Sequence, residues 1–323
     1  MNSVLVALKK KEFGMLGLLL VLCVLVALKS PAFIKAVNIQ NLARNIGMFG
    51  LFSIGCGLVI ITGGIDLSVG SLFALLGVVL TIALTEWHLS WVLGVLLVLA
   101  VAGGLGTCHG LLITRAGLQP FVVTLCGLLL YRGSARFIAQ DSTKGFGAGG
   151  FELLRTLANG DVLGVPAPFV LLVVVAAVMW VLLHRSVYGR YLFAIGRNEE
   201  AARFSGIRTK RVIASAYVLC SLLAGMSGII FAFYTNSISP SMHGNFYELY
   251  GIAAAVLGGC SLRGGEGSIL GILIGVALLQ VLQNLVNILG IPSSLNFSVM
   301  GAVILIGVLG DQLLRRRGER ARR

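Results

Sequence analysis

Long apolar stretches run along this chain, cut by short polar punctuation at intervals that suit helices crossing a bilayer. Residues 87–114, 212–247 and 267–310 contain no Asp, Glu, Lys or Arg. Each reaches or exceeds the roughly 20 residues a helix needs to span hydrocarbon. Hydropathy and turn signals predict ten spans, at about 13–30, 45–62, 67–86, 90–113, 119–138, 166–184, 212–235, 248–262, 267–289 and 294–312. The expected fold class is an all-α polytopic membrane protein of about ten transmembrane helices, some of them discontinuous. The discontinuity is expected first at Gly63-Gly64-Ile65-Asp66-Leu67-Ser68-Val69-Gly70-Ser71, which sets a carboxylate and three glycines between two spans. Irregular backbone at membrane depth survives only inside protein or beside a water-filled cavity, and an ionisable residue there is a candidate functional group.

Composition agrees with this picture. Apolar residues make up 57% of the chain and charged residues 11%, outside the range of soluble domains. Phe13 to Leu28 follows Lys9-Lys10-Lys11 like a leader peptide, but Lys29-Ser30-Pro31 offers no small-residue cleavage site, so a retained helix is expected. The net charge of +13 would suggest nucleic acid in a soluble protein. Here the basic residues gather at the ends of apolar spans, as the positive-inside bias requires, and no nucleic-acid partner is expected. A single transmembrane domain over 1–323 follows, with a cytoplasmic N-terminus (1–12), a cytoplasmic loop (185–211) and a basic cytoplasmic tail (313–323) facing anionic headgroups. Lys29, Lys35 and Arg44 fall on the opposite side, so the first hairpin fits this orientation least well. The Gly-rich 139–165 loop, with charges of both signs, reads as an exported surface.

Several side-chain patterns bear on function. Asn198-Glu199-Glu200-Ala201-Ala202-Arg203-Phe204-Ser205-Gly206 spells a short helix: an Asn N-cap, two acids on the positive end of the dipole and a Gly for the C′ position. So short a helix is marginal alone in water, so it docks either on a partner or on its own membrane domain. Gly63 and Gly64 end one helix, and Asp66 either lines a translocation path or caps the next helix by accepting from the amide of Ser68 or Val69. Gln280, Gln283, Asn284 and Asn287 follow i, i+3, i+4, i+7 and put four amides on one helical face. Such a stripe suits a neutral polyol path, or serves as interhelical glue. Gly267, Gly271 and Gly275 form a small-residue ridge for close packing. Arg132 and Arg136 share a face near one membrane surface, to snorkel to headgroups, close a mouth or meet a partner. Cys23, Cys56, Cys108, Cys126, Cys220 and Cys260 lack CxxC spacing, and the four histidines lack metal-ligand spacing, so neither a metal nor a catalytic set is expected. No Gly-Lys pair occurs, which excludes a P-loop.

Three of these blocks resemble one family. Glu200-Ala201-Ala202 followed by Gly206 is similar to the docking loop of ABC importer permeases. Tyr188-Gly189-Arg190 and Ala194-Ile195-Gly196-Arg197-Asn198 flank it as they do in one branch of that family. Gly63–Ser71 resembles the signature of that branch, the ribose/xylose/arabinose/galactose and autoinducer-2 permeases. Gly258-Gly259-Cys260-Ser261-Leu262-Arg263-Gly264-Gly265-Glu266-Gly267-Ser268 is similar to its third block, with Cys260 where many members carry Thr. The resemblance runs from about residue 40 to 312. It implies a bacterial plasma-membrane permease subunit for a monosaccharide or similar small polyol, with both termini cytoplasmic. It further implies an ABC ATPase partner that binds ATP, a periplasmic or extracellular solute-binding protein, and a second permease copy, identical or related. This chain itself would hold no cofactor. Residues 198–204 and Gly206 would couple to the ATPase. The alternatives are a sister permease for an autoinducer, nucleoside or branched-chain amino acid, or an autonomous channel or carrier.

Overall fold

The computed structural model describes residues 2–147 and 149–292 and the isolated positions 295, 298, 301, 302 and 305, with side chains from Glu12 onward. The chain opens with α1 (Asn2–Lys29), a one-turn 3-10 helix (Pro31–Ile34) and α2 (Ala36–Ile61). An irregular stretch leads to α3 (Val69–Thr85), followed by α4 (Trp91–Thr114) and α5 (Pro120–Ala139). Strand β1 (Lys144–Gly145), α6 (Glu152–Asn159) and strands β2 (Asp161–Val162) and β3 (Val165–Pro166) connect to α7 (Ala167–His184). Then come α8 (Val187–Arg197), α9 (Glu199–Phe204), α10 (Thr209–Thr235), β4 (Ser237–Ile238), α11 (Tyr247–Leu257) and α12 (Ile269–Ile288).

Among the described residues, α1, α2, α4, α5, α7, α10 and α12 are long and apolar enough to cross a membrane, while α3 and α11 are apolar but shorter. In chain order these helices occupy the first nine predicted spans. The tenth, 294–312, apart from the isolated positions, and the basic tail 313–323 lie outside the described residues. Two boundaries differ from expectation. The second span begins at Ala36 instead of 45, and the eighth is an eleven-residue helix ending at Leu257.

The centre of the bundle is α2 against α10. Every residue of α2 from Gly47 to Ile61 is buried, as expected of a helix that is apolar all round. The two helices approach closely where Gly55 meets Cys220, and Ser227 Oγ of α10 donates to the Met48 carbonyl at 2.6 Å. Helix α4 lies on α10, α7 and α12 lie on α2, and α5 lies on α3. Helix α1 stands at the edge and touches the bundle mainly through α12, with Val26, Phe33 and Val281 as a small separate core. At the end away from 185–211, β1 pairs antiparallel with β4 (Lys144 opposite Ile238) and β2 with β3.

Two helices begin inside the bundle. At about 1.5 Å per residue, α3 is about 26 Å long and α11 about 16 Å, both short of the roughly 30 Å hydrocarbon core. Residues 62–68 and 239–246 supply the missing length as irregular backbone. The two starts cross at Gly70 and Gly244, where a Cβ on either residue would strike the other's carbonyl oxygen. Only glycine permits that approach.

Candidate functional site

The three glycine-bearing blocks, far apart in sequence, meet at the end of the bundle that carries 185–211. The Gly265 amide donates to the Ile61 carbonyl at 2.8 Å, closing the end of α2 onto the 258–268 turn. Gly196, near the end of α8, lies on this pair, and a methyl there would overlap the Ile61 oxygen and the Gly265 nitrogen. A Cβ on Gly264 would stand 2.7 Å from the Gly196 oxygen and 2.8 Å from the Gly63 nitrogen. Backbone therefore packs directly on backbone. The nearest atoms facing Gly196 are all backbone, so a shift of α8 passes to the end of α2 and to the turn before α12.

Helix α9 leaves this junction toward solvent. Asn198 Oδ1 caps it by accepting from the Ala201 amide at 2.9 Å, and the chain exits through Gly206 at φ +83°. Ala202 is buried and holds the helix to the bundle, while Glu199, Glu200, Ala201 and Arg203 are exposed. Phe204 is 80% exposed with the Arg203 guanidinium 5.7 Å over its ring, so its apolar face is unspent on this chain. Ile207 instead packs on the core.

Asp66 stands at the start of α3, 2% exposed. Its Oδ1 accepts from the Ser68 amide at 2.9 Å and from the Ser68 hydroxyl at 2.7 Å. The helix proper begins at Val69 with Ser68 as its formal cap, so the Asp66 carboxylate anchors the turn leading into the helix. Tyr217 donates to the Ile65 carbonyl at 3.3 Å, and His109 pairs with Tyr131 at 2.8 Å nearby. Oδ2 of Asp66 has no hydrogen-bond partner among the described residues. The second buried carboxylate, Glu248, opens α11 and lies against Gly70 in the first turn of α3. Each broken helix thus has one of the chain's own carboxylates at its positive end.

Arg132 turns inward. Its Nη1 donates to the carbonyls of Pro240 (3.1 Å) and His243 (2.7 Å), clamping the irregular approach to α11. Arg136 instead pairs with Asp141 at 2.6 Å, and this hydrogen bond holds the Asp141 carboxyl below its ordinary value.

The amide stripe of α12 faces a cavity of about 200 Å³ at the far end of the bundle from α9. Gln280, Gln283, Asn284 and Asn287 form one wall, running from buried Gln280 to exposed Asn287. Asn41, Leu42 and Asn45 of α2 face them, and Phe49, Phe231 and Tyr247 complete the lining. Asn284 also serves as glue: it exchanges two hydrogen bonds with Asn38, at 2.7 and 3.1 Å. Behind Tyr247 the rings of Phe52 (6.1 Å, parallel) and Phe73 (5.7 Å) close the way deeper. The α2 amides were legible in principle, because Asn38, Asn41 and Asn45 keep helical spacing. The polarity of Asn38 and Asn41 kept residues 36–44 out of the expected span, which began at Asn45. The aromatic lining carried no local signal. Gly63, Gly64, Asp66 and Ser68 lie at the other end and do not line this cavity.

Arg44 fits the same geometry. It is in α2, not in a loop, and binds Asp161 (3.4 Å), the Asn159 carbonyl (3.1 Å) and Asn41 (3.1 Å) beside the cavity rim.

Comparison with known proteins gives consistent matches over nearly the whole chain. The family model described as "branched-chain amino acid transport system / permease component" matches residues 38–308. The ribose import permease protein of Bacillus subtilis (strain 168) is 39% identical over 294 residues, covering 91% of this chain and 90% of the relative. The fructose import permease protein of Bifidobacterium longum (strain NCC 2705) is 33% identical over 79% of this chain and 72% of its own length. The D-allose transport system permease protein of Escherichia coli (strain K12) is 31% identical over 94% of this chain and 92% of its own. No solved structure matches the chain.

Proposed function

Since the chain belongs to the permease-component family of the branched-chain amino acid transport system type, we propose that it is the membrane-spanning subunit of an ATP-driven sugar importer. Its cargo is a monosaccharide or similar small polyol, as the names of the ribose, fructose and allose relatives suggest. It sits in a bacterial plasma membrane with 185–211 and both termini in the cytoplasm, where the basic residues favour them. The amide cavity then opens outward. ATP is hydrolysed on a separate ATPase chain, a solute-binding protein delivers cargo at the outer face, and a second permease copy completes the path.

The observation that carries this function is the backbone junction of Gly63, Gly196, Gly264 and Gly265 beneath α9. Closure of the ATPase pair pushes on the exposed α9 face (Glu199, Glu200, Arg203, Phe204). Helix α8 passes the displacement to the end of α2 and to the turn before α12. The breaks ahead of α3 and α11 let those segments reorient, which is the role discontinuous helices serve beside transport paths. An autonomous channel has no use for such a linkage.

Glu200→Arg tests it. Glu200 is exposed and, among the described residues, its ion pair is with Arg203, at 3.8 Å, so the variant inserts and folds. Association with the co-expressed ATPase and sugar uptake both fall at least tenfold. Unchanged ATPase association and uptake would remove α9 from coupling.

A further inference from the structure

We propose that the cavity between α2 and α12 is itself a binding site for one neutral, hydroxyl-rich ring, so that this subunit selects cargo by hydroxyl chemistry as well as conducting it. This rests on the transport function proposed above and deepens it. Asn45, Gln280, Gln283 and Asn287 have no side-chain hydrogen-bond partner among the described residues. Each offers an acceptor oxygen and two N–H donors. Hydroxyl groups both donate and accept, so a ring of hydroxyls matches a wall of amides in any of several orientations. Phe49, Phe231 and Tyr247 provide apolar ring surface for the C–H face of the same molecule.

Charge decides between cargo classes. Among the described residues, none of the lining side chains is a Lys, Arg, His, Asp or Glu. Arg44, near the rim, is already committed to Asp161 and the Asn159 carbonyl. The starts of α3 and α11 are the natural places in this fold for a substrate carboxylate. Asp66 and Glu248 of the chain itself are already there. A zwitterionic amino acid in this cavity would leave an ammonium and a carboxylate desolvated and unpaired, which is costly; a sugar leaves neither. The cavity, at about 200 Å³, is smaller than the roughly 300 Å³ at which sites for drug-sized ligands begin, which suits a single ring. Its depth is graded: from Asn287 to Gln280 is about 10 Å along α12, from solvent to the aromatic floor. A buried amide left facing a methylene where a hydroxyl was meant to be discriminates strongly against deoxy analogues.

The test uses the full chain with its ATPase partner in lipid nanodiscs, without the binding protein. Saturation-transfer NMR is recorded with D-ribose, D-fructose, D-allose and D-galactose as probes and L-leucine as the amino-acid comparison. At least one sugar receives saturation and L-leucine does not. Gln283→Leu and Tyr247→Leu each weaken the sugar signal about tenfold or more while ATPase association is retained. Gln283→Asn, which keeps the amide, restores part of it. The inference is overturned if L-leucine binds as well as the sugars, if no sugar binds, or if both Leu variants bind like the parent. Persistence of ATP-driven sugar uptake in those cases leaves the transport function standing. Loss of ATP dependence would instead sink the transport function itself.

Discussion

Gly196→Ala tests whether the backbone junction under α9 is as tight as its geometry says. Two effects oppose each other. Gly196 lies within α8, where alanine's helix preference over glycine would stabilise by about 0.5–1 kcal/mol. Against that, the new methyl overlaps the Ile61 carbonyl oxygen and the Gly265 amide nitrogen, which are backbone atoms with no rotamer to retreat into. The methyl would stand 1.9 Å from that oxygen, and carbon–oxygen contacts settle at about 3.3–3.6 Å, so α8 must move back by about 1.5 Å. Forced overpacking of this kind costs about 1–3 kcal/mol. The 2.8 Å bond from Gly265 to Ile61 breaks if the turn is pushed aside, adding about 1–3 kcal/mol for groups left unpaired. The clash therefore outweighs the propensity gain, with a net loss of about 1–5 kcal/mol. Thermal unfolding of the purified protein in detergent, followed by tryptophan fluorescence, reads this as a midpoint several degrees below the parent. Gly104→Ala in α4, where a Cβ meets open space, is the control and melts at or slightly above the parent. If Gly196→Ala melts as high as Gly104→Ala, the junction is not close-packed and the transmission route through it fails.

Two further outcomes follow from named contacts. Arg132→Met removes the charge-assisted bonds to the Pro240 and His243 carbonyls, worth about 1.5–3 kcal/mol, so amide hydrogen exchange over 239–246 speeds up roughly ten- to a hundredfold; unchanged protection would show that the clamp is idle. Asp66→Asn keeps an acceptor for the Ser68 amide and melts near the parent, whereas Asp66→Ala lowers stability by about 0.5–2 kcal/mol; equal losses in the two variants would mean that the carboxylate's charge matters and not its cap geometry.

How far the sequence could be read depended on how local each cause is. Helix α9 was legible to the residue, since a cap, a dipole and a left-handed exit are all encoded within nine positions. The amide stripe of α12 was legible because i, i+3, i+4, i+7 spacing defines a face with no knowledge of what it faces. The start of α2 was misjudged for the opposite reason. Asn38, Asn41 and Arg44 fell outside the expected span, since only the cavity and the Asp161 hairpin give that polar face something to meet. Arg132 was left open between headgroups, a mouth to close and a partner, because the sequence does not show that residues 239–246 fold back beneath it.

By itself the sequence determined that this is a helical membrane protein, which stretches are apolar enough to lie within it, and where its glycine-bearing breaks fall. These follow from chain hydropathy and from turn chemistry, which act over a few residues. Only the tertiary structure decided that the breaks at Gly63 and Gly264 meet α8 at Gly196, that Asp66 and Glu248 occupy the ends of broken helices, and that amides from α2 and α12 share one cavity. Those are contacts between residues as far apart in sequence as Asn38 and Asn284, 246 positions. They are set by which helix faces pack together, and no local pattern encodes that.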